Sequence, residues 1–77
     1  MDANSEAPSL NEAIENAFRY HPPKGEQQAK YEAIRANAKT MAYLIHHQCP
    51  TSREKALALT KLEEAVMWAN AAIARNE

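Results

Sequence analysis

One cysteine in 77 residues, Cys49, excludes an internal disulfide, and no Cys/His cluster has zinc-finger spacing. Neither usual staple of a small domain is therefore available to a chain near the size where one core is only marginally stable. The single glycine, Gly25, excludes a Gly-rich phosphate loop. No apolar run approaches the roughly 18 residues needed to span a membrane, and the polar, acidic N-terminus does not read as a signal peptide. The expected compartment is the cytoplasm. A basic excess is also missing, since the net charge is −1, whereas duplex-binding domains are normally frankly basic. Sixteen alanines against one glycine make a helix-forming composition with few turns for a sheet. A small helical chain with a thin core is expected to complete it by self-association.

The near-zero total conceals segregation. Residues 1–18 carry Asp2, Glu6, Glu12 and Glu15 with no base. Residues 19–39 carry Arg19, Lys24, Lys30, Arg35 and Lys39 against Glu26 and Glu32, a net +3. Residues 53–61 are basic, and the stretch from Glu63 to Glu77 is acidic. This distribution leaves room for a small anion held by a few bases.

Residues 1–8 read as a loose tail, and 9–77 as one helical domain. Ser9-Leu10-Asn11-Glu12 has the form of a capping box. Leu10, Ala13, Ile14, Ala17 and Phe18 then predict a short first helix, which Pro22, Pro23 and Gly25 forbid from continuing. A long helix is expected from Glu26 or Gln27 to Gln48, roughly 33 Å at 1.5 Å per residue. Its apolar stripe is Ile34, Ala38, Met41 and Ile45. Cys49-Pro50 ends it. Thr51-Ser52-Arg53-Glu54 reads as a second capping box, opening a third helix to about Arg75 with the stripe Leu59, Leu62, Val66, Ala69 and Ile73. Ala58, Ala65 and Ala72 form a second row beside it. The short connection makes the two long helices an antiparallel hairpin. Trp68 is expected at an interface or groove, because its N–H needs a partner.

Catalytic groupings are weak. Glu63 and Glu64 diverge by about 100° on a helix and do not share a site. His46-His47-x-Cys49 suggests metal ligands, but adjacent histidines point apart and the fourth ligand is missing, so no metal is expected. Histidines in a last turn complement the helix dipole instead, and Cys49 is expected to be a buried, inert thiol. Thr51, Ser52 and Arg53 at the start of the third helix could receive a phosphate, although capping alone explains them. No enzyme and no cofactor are expected.

The segment Phe18-Arg19-Tyr20-His21-Pro22-Pro23-Lys24 differs in kind. It puts two aromatics, an imidazole and two bases on a loop stiffened by prolines. Aromatic faces stack on nucleobases, and arginine or lysine neutralises phosphate. The following helix adds Lys30, Arg35 and Lys39, with Tyr31, Arg35 and Lys39 one turn apart along one side. The competing reading is that Phe18 and Tyr20 staple the first helix to the hairpin while the bases are merely solvated. Near the chain's end, Trp68, Asn70 and Arg75 set an indole, an amide and a base in an alanine-rich stretch, with Asn70 in a helix interior where its propensity is poor.

The pattern Phe18-x-Tyr20-His21-Pro22-Pro23, then Tyr31-x-x-Ile34-Arg35, Pro50-x-Ser52-x-Glu54, and Leu62-Glu63-x-Ala65-x-Met67-Trp68-Ala69-Asn70-Ala71-x-Ile73-Ala74-Arg75 resembles a family of small bacteriophage proteins. It is similar to the helical-hairpin module shared by phage anti-CBASS cyclic-oligonucleotide sponges and one class of anti-Thoeris sponges. The resemblance runs from Phe18 to Arg75 and is most specific in the final stretch. It implies a non-catalytic homohexamer that sequesters immune second messengers in the cytoplasm of the infected host, so that the CBASS effector is never activated. Cyclic dinucleotides such as cyclic GMP–AMP would occupy pockets between paired protomers, and cyclic trinucleotides would sit where three protomers meet. Anti-Thoeris members also bind cyclic ADP-ribose isomers but commonly carry extra sequence, so the short tail favours the anti-CBASS branch. The resemblance implies Tyr20 as the base-stacking aromatic, with Phe18 its competitor and His21 alongside. It implies Arg35 as the phosphate grip, with Lys39 and Lys30 behind it. Arg75, with Asn70 and Trp68, would serve the trinucleotide. A helical protein-interaction module without a nucleotide ligand is the alternative from a different class.

Overall fold

The structure is a computed structural model and describes residues 9–77, so the expected tail over residues 1–8 lies outside the described part. Three helices follow one another: α1 Leu10–Phe18, α2 Gln27–Gln48 and α3 Arg53–Asn76. No strand occurs among the described residues, and none of their helices is long and apolar enough to cross a membrane. The architecture is therefore all-helical, with α2 and α3 packed as an antiparallel hairpin and α1 a short addition at its open end.

Local chemistry sets the boundaries. The Ser9 hydroxyl accepts from the Glu12 amide at 3.2 Å and donates to the Glu12 carboxylate at 3.1 Å, closing the expected capping box. At α3 the register differs. Ser52 is the N-cap and accepts from the Lys55 amide at 3.1 Å, which leaves Thr51 outside the helix and Glu54 in its first turn. The Ser52 hydroxyl also donates to the Pro50 carbonyl at 3.0 Å, tying the cap to the corner. That second bond favours Ser52 over Thr51. His46 and His47 occupy the last turn of α2, as the dipole favours, and the Lys55 ammonium reaches back to the His46 carbonyl at 2.9 Å.

The turn into α2 turns on two residues. Gly25 takes φ +30°, a region that penalises a side chain. Gln27 is the deeply buried polar residue, 5% exposed. Its Oε1 accepts from the Lys24 amide at 3.0 Å, and its Nε2 donates to the Ile73 carbonyl at 3.5 Å, so one amide joins the proline linker to α3.

The hairpin seam is made by Tyr31, Ile34, Ala38, Ala42 and Ile45 against Leu59, Leu62, Val66, Ala69 and Ile73, all half-buried. Ala42 takes the place expected for Met41, which turns outward and is 46% exposed. Over Ala38 to Ala42 a spacing of four keeps the smaller residue where the two backbones are near. Cys49 is exposed, correcting the expectation of a buried thiol: it follows the last turn, beyond the seam. Ala58, Ala65 and Ala72 all face outward.

No hydrophobic side chain is fully buried among the described residues. The Cα radius of gyration is 16.7 Å, against about 11.5 Å for a compact domain of this length. A half-buried leucine or isoleucine contributes roughly 1 kcal/mol, half of what full burial gives. The seam of one chain is thus a partial core.

Candidate ligand site

On one flank of the seam, α2 and α3 enclose an open groove of about 570 Å³. Ala38 and Ala42 form its α2 side and Leu59, Leu62, Val66 and Met67 its α3 side. Arg35 and Lys39 stand on one rim and Glu63 on the other. The alanines matter because two methyl groups leave a shallow floor where larger side chains would fill the space. Arg35 and Lys39, one turn apart, are both exposed and share this groove. Toward the hairpin corner it is continued by a depression of about 290 Å³ bordered by Lys39, Tyr43 and His46. A further one of about 280 Å³ adjoins it at His46, Leu59 and Lys55. Cations thus recur along the whole flank.

Lys30 is placed elsewhere. At 100° per residue it lies about 140° around α2 from Arg35. Its ammonium binds both carboxylate oxygens of Glu77, at 2.9 and 2.8 Å. That hydrogen bond raises the Lys30 pKa and lowers that of Glu77. Lys24 donates to the main-chain oxygen of Glu77 at 3.2 Å. Both lysines are therefore engaged by the end of α3, and neither is merely solvated.

Phe18 and Tyr20 are 87% and 79% exposed, so within one chain they do not staple α1 to the hairpin. His21 is half-buried, with Nε2 at 2.9 Å from the Asn16 carbonyl, and Asn16 in turn donates to the Arg75 carbonyl at 3.1 Å. Polar contacts hold α1 against the hairpin and leave Leu10, Ile14 and Phe18 outward. Neither Phe18 nor Tyr20 lines the groove that carries Arg35 and Lys39. Trp68 is 64% exposed, and Arg75 is exposed while its carbonyl receives Asn16. Asn70 is half-buried, with Oδ1 shielded and unpartnered. A shielded acceptor of this kind is free to take a hydrogen bond from a donor that reaches it.

Sequence reasoning missed Met67, Glu63 and Glu77 as groove or clamp residues. Met67 and Glu63 are one turn apart, but only the crossing of α2 against α3 reveals which flank opens. Glu77 gave no local signal, because its partners are 47 and 53 positions away.

Among the described residues no group of three or more His, Cys, Asp or Glu is placed to hold a metal ion. Comparison with curated proteins and with solved structures gave no match. A profile of the family described as Acb2/Tad1, hairpin domain, matches residues 10–74, which takes in all of α1 and α2 and all but the last two residues of α3. The chain therefore belongs to the Acb2/Tad1 hairpin-domain family, the anti-CBASS and anti-Thoeris sponges, whose role in countering bacterial defence is binding rather than catalysis.

Proposed function

We propose that this protein sequesters cyclic oligonucleotide second messengers without cleaving them and so denies a CBASS effector its activator. Family membership supplies the class, and the carrying observation in this chain is the groove that joins an alanine floor to the exposed cations Arg35 and Lys39. A cyclic dinucleotide presents flat bases and phosphodiester anions, which such a surface complements through apolar contact and charge-assisted hydrogen bonds. Tyr20 supplies the stacking face, with Phe18 and His21 beside it, and Arg35 grips phosphate with Lys39 in support. Lys30 completes the set of bases on α2 when Glu77 yields it. Arg75, Asn70 and Trp68 form the cyclic trinucleotide site, where the unpartnered Asn70 amide oxygen finds a donor.

The working form is a homo-oligomer, in line with the family's hexamers, acting in the cytoplasm of the infected host. Tyr20 and Arg35 share no cavity within one chain, and pockets between chains bring them together. Sequestration follows from mass action: the sponge is made in excess and binds more tightly than the effector. Because the ligand binds the assembled state, it also stabilises that state.

Thermal melting with and without micromolar cyclic GMP–AMP, cyclic triadenylate and a cyclic ADP-ribose isomer tests the reading. A rise in the midpoint with a cyclic di- or trinucleotide, and recovery of intact ligand after denaturation, is the expected result. A rise with the cyclic ADP-ribose isomer alone assigns the protein to Thoeris signals. No rise with any of the three leaves a helical interaction module.

A further inference from the structure

We propose that Tyr43, backed by His47, is a second base-stacking subsite at the corner end of the flank that carries Arg35 and Lys39. In the sponge reading, on which this rests, Tyr20 takes one base of a cyclic dinucleotide and the other base has no ring. Arg35, Lys39, Tyr43 and His47 follow one another at intervals of four, so two cations and two rings form one slowly turning row along α2. Tyr43 lies off the seam and is 57% exposed. Its ring is nonetheless backed, because the His47 imidazole stacks on it with centroids 6.2 Å apart and planes 13° from parallel. His46 in turn meets His47 edge-on at 5.1 Å.

The surroundings of that ring suit a nucleotide in three respects. Tyr43 borders the depression of about 290 Å³, whose apolar floor is Ala42 and Leu59 and whose rim holds Lys39 and His46. That volume is near the lower limit of small-molecule pockets, roughly 300 Å³, and suits one base with its sugar. No carboxylate among the described residues borders this depression or the adjoining one at Lys55, so both accept an anion. Lys39 borders the depression and the larger groove alike, so a phosphate on Lys39 lies between them. A base is one sugar away from its phosphate, and Tyr43 is one helical turn, about 6 Å, from Lys39. His47 lies about 40° further around α2 than Tyr43, on the side away from Ala42, so it supports the ring from outside the depression. A ring beside a phosphate-binding cation is the pairing that holds nucleotides through the face of the base. Tyr43 meets this condition within the chain that carries Arg35 and Lys39, whereas Tyr20 shares no cavity with them.

Calorimetric titration of the full chain with cyclic GMP–AMP tests it. Tyr43→Ala and Tyr43→Leu are expected to weaken binding about 5- to 100-fold, and Tyr43→Phe, which keeps the flat face, to stay within about twofold of wild type. Ligand-free melting midpoints and sedimentation profiles of the alanine and leucine variants are expected to match wild type, because Tyr43 is off the seam and both replacements are good helix formers. Tyr43→Leu binding as tightly as wild type overturns the proposal, since apolar contact then suffices. Tyr43→Phe weakened as much as Tyr43→Ala overturns it too, by assigning the effect to the hydroxyl. A loss of binding that comes with a lowered ligand-free midpoint or an altered sedimentation profile overturns it by giving Tyr43 a structural role. Wild-type affinity in all three variants, while Arg35→Ala still weakens binding, overturns the subsite and leaves the sponge reading standing. No binding by the wild type overturns both.

Discussion

Arg35 and Lys39 are the cations that one groove brings within reach of a single ligand, whereas Lys30 lies on another flank in the grasp of Glu77. Their substitution effects should therefore separate. A charge-assisted hydrogen bond to phosphate contributes about 1.5–3 kcal/mol, so Arg35→Ala is expected to weaken cyclic dinucleotide binding about 10- to 100-fold in a calorimetric titration. The sedimentation profile of Arg35→Ala is expected to match that of the wild type. Lys30→Ala should weaken binding less than Arg35→Ala; the reverse order would move the phosphate to the other flank. The Lys30–Glu77 pair has its own signature. Glu77 is held below the ordinary carboxylate value, chiefly by its hydrogen bond with Lys30, so its contribution is present above that value and disappears as pH falls through the lowered one. Lys30 is raised, so its contribution persists until pH climbs through its elevated value. Melts of wild type and Glu77→Gln are therefore expected to differ slightly at neutral pH and to converge in acid, the small size reflecting an exposed pair. A difference that grows in acid would assign the effect to another group.

At the scale of the helices, the α3 cap separates a motif from its realisation. Thr51-Ser52-Arg53-Glu54 reads as a capping box on Thr51, but the structure gives the cap to Ser52, because only Ser52 reaches both the Lys55 amide and the Pro50 carbonyl. Ser52→Ala is expected to lower unfolding stability by about 1 kcal/mol in denaturant titration, with Thr51→Ala near neutral. Equal losses would restore the earlier register. The hairpin, its breaks and its caps were legible because each rests on neighbours within a few positions: Pro22, Pro23 and Gly25 between α1 and α2, Pro50 between α2 and α3, Ser9 with Glu12. The α3 stripe was legible for the same reason. What escaped depends on contacts distant in sequence. Ala42 replaces Met41 because the opposing helix chooses the flank, and Cys49 is exposed because nothing folds back over the corner. The outward edge of α1 follows from a bond between Asn16 and a carbonyl 59 positions away. The groove carrying Arg35 and Lys39 was half legible, since their one-turn spacing was plain but its Met67 and Glu63 side was not.

For the whole molecule the governing observation is that no hydrophobic side chain is fully buried among the described residues, while Leu10, Phe18, Tyr20, Met67 and Trp68 are each more than 60% exposed. Apolar surface of that extent marks interaction sites. The staples that otherwise rescue such small chains are missing: there is one cysteine, and no metal-holding group among the described residues. Burying the exposed side chains between chains would stabilise the fold through the same transfer of apolar area from water that an interior core provides. On the proposed homo-oligomer, folding and assembly form one equilibrium, and stability depends on protein concentration. Helical signal followed on heating is therefore expected to give a midpoint that rises by several degrees for each tenfold increase in concentration. A midpoint independent of concentration over two decades would mean that the hairpin stands alone on its half-buried seam. Cyclic dinucleotide at saturation should raise the midpoint and flatten the concentration dependence, because ligand held between chains opposes their separation. If ligand raised the midpoint by the same amount at every concentration, the site would lie within one chain, on Arg35 and Lys39 alone.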